Sequence, residues 1–332
     1  MRRRALIGAG VAGWLASLHG CDRRNAGRAE GLSKLRIATP LVPHSGLLHL
    51  ASARGFFRDQ GLDVALLPQM HGKAALAELL QGRADLAVAA DVPVVVEVLK
   101  GAPLGIIASV ASASNELAVL GRVDRGIHGP GDLRGRRVGA TLGTSGEYFL
   151  WAFLVRHRIA PQSLQLVDLP PAQLIDSLRS GLVDGVAAWQ PVRHEAELAF
   201  GDAIVSLHAP DAYAQRFVVV GLREYLQAQP QDLRRLLRAL TEAETFAHAD
   251  PRQARATLAG LLRLSPGTLD PSWRDMTFAV EQQQAQLVTL EDVATWAMAR
   301  GYAPAQPMPN FLAHLSLDAL LALDPARVTV VR

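Results

Sequence analysis

Cysteine and lysine, two of the residue types most used for covalent chemistry, are scarce in this chain. There is one cysteine, Cys21, and there are three lysines, Lys34, Lys73 and Lys100. A lone thiol cannot close an internal disulfide, and it excludes a thiolate metal cluster. His44 and His49 stand five apart and no H-E-x-x-H run occurs, so the histidine spacing gives no support to a metal site. No G-x-x-x-x-G-K-S/T phosphate loop is present, so any ATP hydrolysis must come from a partner. None of these features assigns a role to the polar groups, and what they can do depends on the elements that gather them.

Those elements show as a unit written twice. Leu79-Leu80-Gln81-Gly82-Arg83-Ala84-Asp85 and Leu178-Arg179-Ser180-Gly181-Leu182-Val183-Asp184 share the pattern L-x-x-G-x-x-D, each followed by a short apolar run. Leu67-Pro68 pairs with Leu169-Pro170, and Leu35 to Thr39 pairs with Arg137 to Thr141. Each copy reads strand, loop, helix, strand, helix, turn, strand, with strands at 35–39, 62–67 and 85–90, then 137–141, 164–169 and 184–189. Strands alternating with helices predict parallel pairing through right-handed crossovers, hence two α/β lobes. In the repeated turn, glycine ends a helix in the left-handed conformation and aspartate bonds backbone amides before the strand. Gly82, Asp85, Gly181 and Asp184 are therefore read as structural.

In open α/β sheets, ligands bind beyond the carboxyl ends of the strands. That rule points to the loops after Thr39, Leu67, Ala90, Thr141 and Ala188. From about Leu222 the texture becomes helical, with helices expected at 231–249, 252–264, 270–287 and 291–300. This return is expected to pack on the first lobe. The expected organisation is a signal over 1–20, a tether over 21–33, the first part of lobe 1 over 34–115, lobe 2 over 116–212, and a lobe 1 return with a helical C-terminal part over 213–332.

The formal charge of +3 belongs to Arg2, Arg3 and Arg4, since the remaining 31 basic residues (34 less these three) balance 31 acidic ones. A neutral body gives no reason to invoke nucleic acid. The arginines precede an apolar run from Ala5 to Leu18, too short for a spanning helix, which needs about 20 residues. The run fits a secretory signal. Leu18-His19-Gly20-Cys21 resembles a bacterial lipobox, with His19 a departure from its usual small residue, and that resemblance makes Cys21 the lipid anchor. Asp22 resembles the signal that keeps some lipoproteins on the inner membrane. Arg2 to Leu6 resembles a twin-arginine signal as much as an ordinary basic start, so the export route stays open.

Ala51-Ser52-Ala53-Arg54-Gly55-Phe56-Phe57-Arg58-Asp59-Gln60-Gly61-Leu62-Asp63-Val64 is similar to the A-x-x-x-G-F-F-x-x-x-G-L-D-V signature of periplasmic solute-binding proteins. The group it resembles serves ABC transporters for nitrate, taurine, aliphatic sulfonates and thiamine-precursor pyrimidines. Asp132 to Gly139, Gly143-Thr144-Ser145 with Tyr148-Phe149-Leu150, and Ala188-Trp189-Gln190-Pro191 also stand where that group has such residues. The resemblance implies a two-lobed type II periplasmic binding fold, class α/β, with a hinge, a helical C-terminal return and a ligand between the lobes.

Within that frame the expected ligand residues are Thr39, His44, Ser45, Lys73, Asp91, Thr144, Ser145, Trp189 and Gln190, with His71 and Gly72 beside Lys73. The helix start at Ser145 suits an anion through its free amides and dipole, while Thr144 and Ser145 also read as plain N-caps. Trp189 reads either as a stacking surface or as lobe core, and Lys73 either as a ligand cation or as a solvated charge. The resemblance implies a tethered periplasmic binding protein, monomeric and without cofactor, delivering a solute to a permease and its ATPase subunit. A small sulfonate-like organic anion leads as ligand, with a nitrogen heterocycle, met by Trp189 and by Gln190 or Asn115, as the alternative. An enzyme on the same fold is the competing class. A cysteine-dependent version lacks its residue beyond Cys21, and a pyridoxal phosphate version would need Lys73. A sensing domain of a regulator would need a helix-turn-helix segment that the sequence lacks.

Overall fold

The computed structural model describes residues 31–331. The expected signal, the anchor Cys21 and residues 21–30 of the tether lie outside the described residues. From Leu32 onward the chain forms one body. It begins with β1 (Ser33–Pro40), α1 (Gly46–Arg54), α2 (Phe56–Asp59), β2 (Leu62–Gln69), α3 (Gly72–Leu80), β3 (Leu86–Ala90), α4 (Asp91–Leu99) and β4 (Leu104–Ala113). A second group follows: β5 (Ala118–Arg122), β6 (Arg137–Ala140), α5 (Ser145–Arg156), β7 (Gln165–Asp168), α6 (Leu174–Ser180), β8 (Gly185–Ala188), α7 (Val192–Phe200) and β9 (Ile204–Leu207). The chain then returns through β10 (Gln215–Leu222), α8 (Arg223–Ala228), α9 (Pro230–Ala249), α10 (Pro251–Leu262), α11 (Pro266–Asp275), β11 (Met276–Glu281), α12 (Gln284–Ala299) and α13 (Asp318–Leu323).

Two sheets result, ordered β11-β4-β10-β3-β1-β2 and β7-β6-β8-β5-β9. The triplets β2-β1-β3 and β7-β6-β8 are parallel, as strand–helix alternation requires. An antiparallel strand then flanks each triplet, β10 beside β3 and β5 beside β8. The chain crosses between sheets twice, over 114–117 and over 208–214. The expected helix over 270–287 is corrected: it breaks at Met276, where Met276 to Glu281 form an edge strand on β4. Alternation explains the break, because Phe278 and Val280 are buried at a spacing of two, which suits a strand face.

The repeated turn builds the same clasp in both sheets. Gly82 and Gly181 end their helices at φ +70° and +74°, where a side chain would be strained. The Asp85 carboxylate accepts from the Arg36 amide at 2.8 Å and from Arg36 Nη2 at 2.7 Å, while the Asp85 amide donates to Arg36 O at 2.9 Å. The Asp184 carboxylate accepts from the Arg137 amide at 3.0 Å and from Arg137 Nη2 at 3.0 Å, and its amide donates to Arg137 O at 2.8 Å. Burial alone would raise both carboxyl pKa values, but the arginine and amide hydrogen bonds outweigh it and hold them below the ordinary range. The clasp also shifts the repeat by one residue: Arg36, not Leu35, is the counterpart of Arg137. A one-residue slip would turn every side chain of the strand to the other face, so this register is fixed by burial.

Helix α9 packs against α1, and its Leu233, Leu236, Leu237 and Leu240 form a stripe at helical spacing that is almost fully buried. Each such leucine contributes about 2 kcal/mol of hydrophobic stabilisation. Helix α12 lies on α4, and its buried Trp296 meets Tyr148 of α5 edge-on at 5.3 Å. The return thus reaches the second sheet's helix as well as the first sheet.

Candidate functional site

A small cavity opens where the strand-end loops of the two sheets face each other. The first sheet contributes Pro40 at the end of β1 and Val42 after it, His71, Gly72 and Lys73 after β2, and Ala90 at the end of β3 with Pro93 beyond it. The second contributes Thr144 and Ser145 at the start of α5 and Trp189 after β8. Gln215 and Phe217 of β10 complete the wall. Lys73 carries the one ordinary fixed charge among these residues, and no guanidinium or carboxylate lines the cavity.

Thr144 is the N-cap of α5: its hydroxyl accepts from the Gly146 amide at 3.3 Å and donates to Thr141 O at 2.6 Å. That hydroxyl's proton is therefore committed to the protein, whereas Ser145 Oγ has only a long contact, 3.5 Å, with the Tyr213 hydroxyl, whose single proton goes to Asp91. Ser145 is free to donate. His71 caps α3, its Nδ1 accepting from the Ala74 amide at 3.1 Å. An accepting Nδ1 places the proton of the neutral ring on Nε2. Burial and then the nearby Lys73 charge lower the His71 pKa, favouring that neutral form. The indole of Trp189 lies over Gly146, where an added Cβ would stand 3.0 Å from its Cζ3.

Lys73, with His71 and Gly72 beside it, and Thr144, Ser145 and Trp189 thus meet at the cavity. The other expected residues do not line it. Thr39 is fully buried with its hydroxyl unpaired. Ser45 donates to Val42 O at 2.8 Å and also bonds Pro40 O, holding the turn after β1. His44 is buried against the Glu116 carboxylate and stacks on Phe217 at 4.8 Å. Gln190 is buried and accepts from the His194 amide at 3.1 Å. Asp91 is buried at the start of α4, accepting from the Val92 amide at 2.8 Å, the Arg216 amide at 3.3 Å and the Tyr213 hydroxyl. Burial pushes the Asp91 pKa up to about 6 against the opposing pull of Tyr213 and Arg216.

Several contacts bind the two halves around the cavity. Lys73 Nζ donates to Leu142 O, 3.1 Å across the cleft. Arg193 of α7 donates to Asn115 O and Glu116 O, at 2.7 and 3.0 Å, anchoring the first crossing segment. Beside the cavity, buried Glu147 of α5 accepts from the Gly143 amide at 2.8 Å, from Arg300 Nη2 at 3.1 Å and from the Tyr302 hydroxyl. Arg300 and Tyr302 follow α12, so this carboxylate fastens the return to the second sheet's helix. Among the described residues no group of His, Cys, Asp and Glu is placed to hold a metal ion.

Gln215, Phe217 and Tyr213 escaped the strand-end rule because β10 runs antiparallel to β3. Its amino end, not its carboxyl end, reaches the cleft, with Phe217 opposite Ala90. The alternation of Gln215 and Phe217 within an apolar run was the available signal.

The profile of a family described as NMT1/THI5 like matches residues 43–254. The taurine-binding periplasmic protein of Escherichia coli is 24% identical over 243 residues, covering 68% of this chain and 71% of that protein. The alkanesulfonate-binding protein SsuA of Xanthomonas axonopodis, solved with MOPS bound, superposes with a TM-score of 0.73 at 19% identity, covering 85% of this chain and 98% of that one. A desulfurization enzyme, DSZB, superposes with a TM-score of 0.67 at 15% identity, covering 89% of this chain and all of that one. The two-lobed fold is therefore that of the periplasmic binding proteins, and both binding proteins and an enzyme are built on it.

Proposed function

The chain belongs to the NMT1/THI5 like family, and from that premise we propose that it is the solute-binding component of an ABC importer. It holds a small organic anion between its lobes and delivers it to a membrane permease whose partner subunit hydrolyses ATP. One observation carries the reading: donors from both sheets converge on one apolar-walled cavity at the strand-end loops. Ser145 Oγ–H, His71 Nε2–H and the Lys73 ammonium, with the positive end of α5, suit an acidic head group. Trp189, Phe217 and Pro93 suit its apolar body. The taurine and alkanesulfonate relatives support this ligand class.

A nitrogen heterocycle is the second reading, favoured by the Trp189 ring face and by the lack of a guanidinium on the wall. Sequence features support the remaining parts of the proposal, namely export, periplasmic location and a tether through lipidated Cys21. Among the described residues no helix is long and apolar enough to cross a membrane.

The test is a thermal-shift screen of the purified chain with sulfonates, taurine, nitrate and aminopyrimidines. A ligand at 100 times its Kd adds about 2.7 kcal/mol of stability. A binding protein returns the solute intact. Chemical consumption of the solute under turnover conditions would establish the enzyme reading instead.

A further inference from the structure

The first sheet carries a second hollow, of about 610 Å³, at the end remote from the cavity. Strand β10 joins the two: Gln215 is on the cavity wall, Leu222 adjoins Arg223 on the hollow's wall, and the seven steps from 215 to 222 span about 23 Å. The volume lies within the range of small-molecule sites. Its floor is apolar, with Leu226, Leu233, Leu315 and Leu317 all buried. Leu226 is sunk onto two glycines, since a Cβ added at Gly105 or Gly221 would stand 2.6 or 2.7 Å from its methyl carbons.

One side of the hollow is the segment over 312–319, fastened to the start of β4: the Ser316 amide donates to Ile106 O at 2.8 Å and His314 Nδ1 to Leu104 O at 2.8 Å. A neutral ring that donates through Nδ1 carries its proton there, and burial and then the Arg223 charge lower the His314 pKa and favour that form. Arg223 of α8 and Arg234 of α9 line the hollow as well, both exposed. Among the described residues neither guanidinium has a hydrogen bond or an ion pair, in contrast to Arg36 and Arg137 in their clasps. The Ser316 hydroxyl is likewise without a partner. Asp318 is the acid among the lining residues, so with His314 neutral the wall carries two positive charges and one negative, a balance of +1.

We infer that this hollow is a second binding site, taking an amphiphilic anion whose carboxylate or phosphate-ester head meets Arg223, Arg234 and the Ser316 hydroxyl while a short aliphatic chain lies on the leucine floor. A guanidinium fork matches the paired oxygens of either head group. This goes beyond the solute-binding reading and does not rest on it, because none of these residues lines the interlobe cavity. The same head and chain are offered by a soluble amphiphile and by a lipid at a bilayer surface.

The experiment is calorimetric titration of the full chain with hexanoate and hexyl phosphate, against 1-hexanol and hexylammonium as neutral and cationic counterparts. At least one anion binds and neither counterpart does. Arg223→Gln and Arg234→Gln each weaken the anion roughly tenfold, while Asp318→Asn tightens it about threefold, an opposite sign that general loss of structure would not produce. Flotation with vesicles of phosphatidylcholine and phosphatidylglycerol, against phosphatidylcholine alone, divides the sources. Flotation that the paired Arg223→Gln and Arg234→Gln substitutions remove makes the ligand a lipid head group, and hexanoate or hexyl phosphate binding without it makes the ligand a soluble amphiphile. Anion binding that survives both arginine substitutions but is lost in Ser145→Ala belongs to the interlobe cavity and overturns the inference. So does a chain that binds neither anion and floats no less with both arginines replaced. Either result leaves the solute-binding reading standing, since its own screen decides that.

Discussion

The two sheets agree at one end of their strands and diverge at the other. Where β1 and β6 begin, Arg36–Asp85–Gly82 and Arg137–Asp184–Gly181 make the same clasp, contact for contact. Where the strands finish, the counterparts differ. Counting from the two aspartates, Asp91 corresponds to Gln190 and Ala90 to Trp189, so an acid that titrates stands where the second copy has an amide. The lesson is a division of labour along the strand: the amino ends carry what any such lobe needs to fold, and the carboxyl ends carry what distinguishes one lobe's contribution to the cavity from the other's.

The largest expected effect tests the divergent end. Asp91 ionises near pH 6 in the folded protein and near pH 4 when unfolded. Between those values the unfolded chain has released the proton and the folded chain has not, so stability falls as pH rises from about 4 to about 6 and is level above. The fall attributable to this group is about 3 kcal/mol, from two pKa units at ~1.4 kcal/mol each. Subtracting the urea-unfolding stability of Asp91→Asn from that of the wild type at each pH isolates it. A flat difference curve would show that the acid is no different from its amide counterpart.

Next comes a pair of glycines at the cavity. An alanine Cβ at Gly72 would lie 2.8 Å from the Ala89 Cα, which is backbone and cannot step aside, whereas at Gly146 it would press on the Trp189 ring. Gly72→Ala therefore costs about 2 kcal/mol of stability by overpacking. Gly146→Ala spares most of the stability but displaces the indole, and its loss appears in solute affinity. Unfolding curves and binding isotherms on both variants separate these outcomes, and equal unfolding costs would show that the Trp189 ring yields no more readily than the Ala89 backbone.

The smallest effect tests the shared end. Asp85→Asn and Asp184→Asn should each lose about 1 kcal/mol once solvent screening is allowed for, with solute affinity unchanged. Asp184, more enclosed and 3.6 Å from Arg125 as well, should lose slightly the more. A change in affinity from either variant would mean that the clasps are not confined to folding.

The parallel triplets were legible because local chemistry marks them: a helix, a left-handed glycine, an aspartate and an apolar strand, twice over. The antiparallel strands had no such marks. β4 and β10 are long apolar runs whose pairing is fixed only when distant segments meet, and β11 hides inside a helical texture until its alternation finds the edge of β4. The same asymmetry governs the site. Lys73, Ser145 and Trp189 followed from the carboxyl ends of parallel strands. Gln215 and Phe217 arrive on a strand running the other way, and Asp91, although placed in the right loop, turned inward to Tyr213 rather than out to the cavity. His44 and Ser45 likewise serve the crossing segment and the turn.

Glu147 bears on timing. Held by Arg300 and Tyr302, it binds the segment after α12 to α5 without any help from a solute. If the lobes part about a hinge to admit a solute, as the proposed function requires, these bonds part with them; each then lowers the free energy a captured solute spends on closure and so bears on affinity as well as on the rate of exchange.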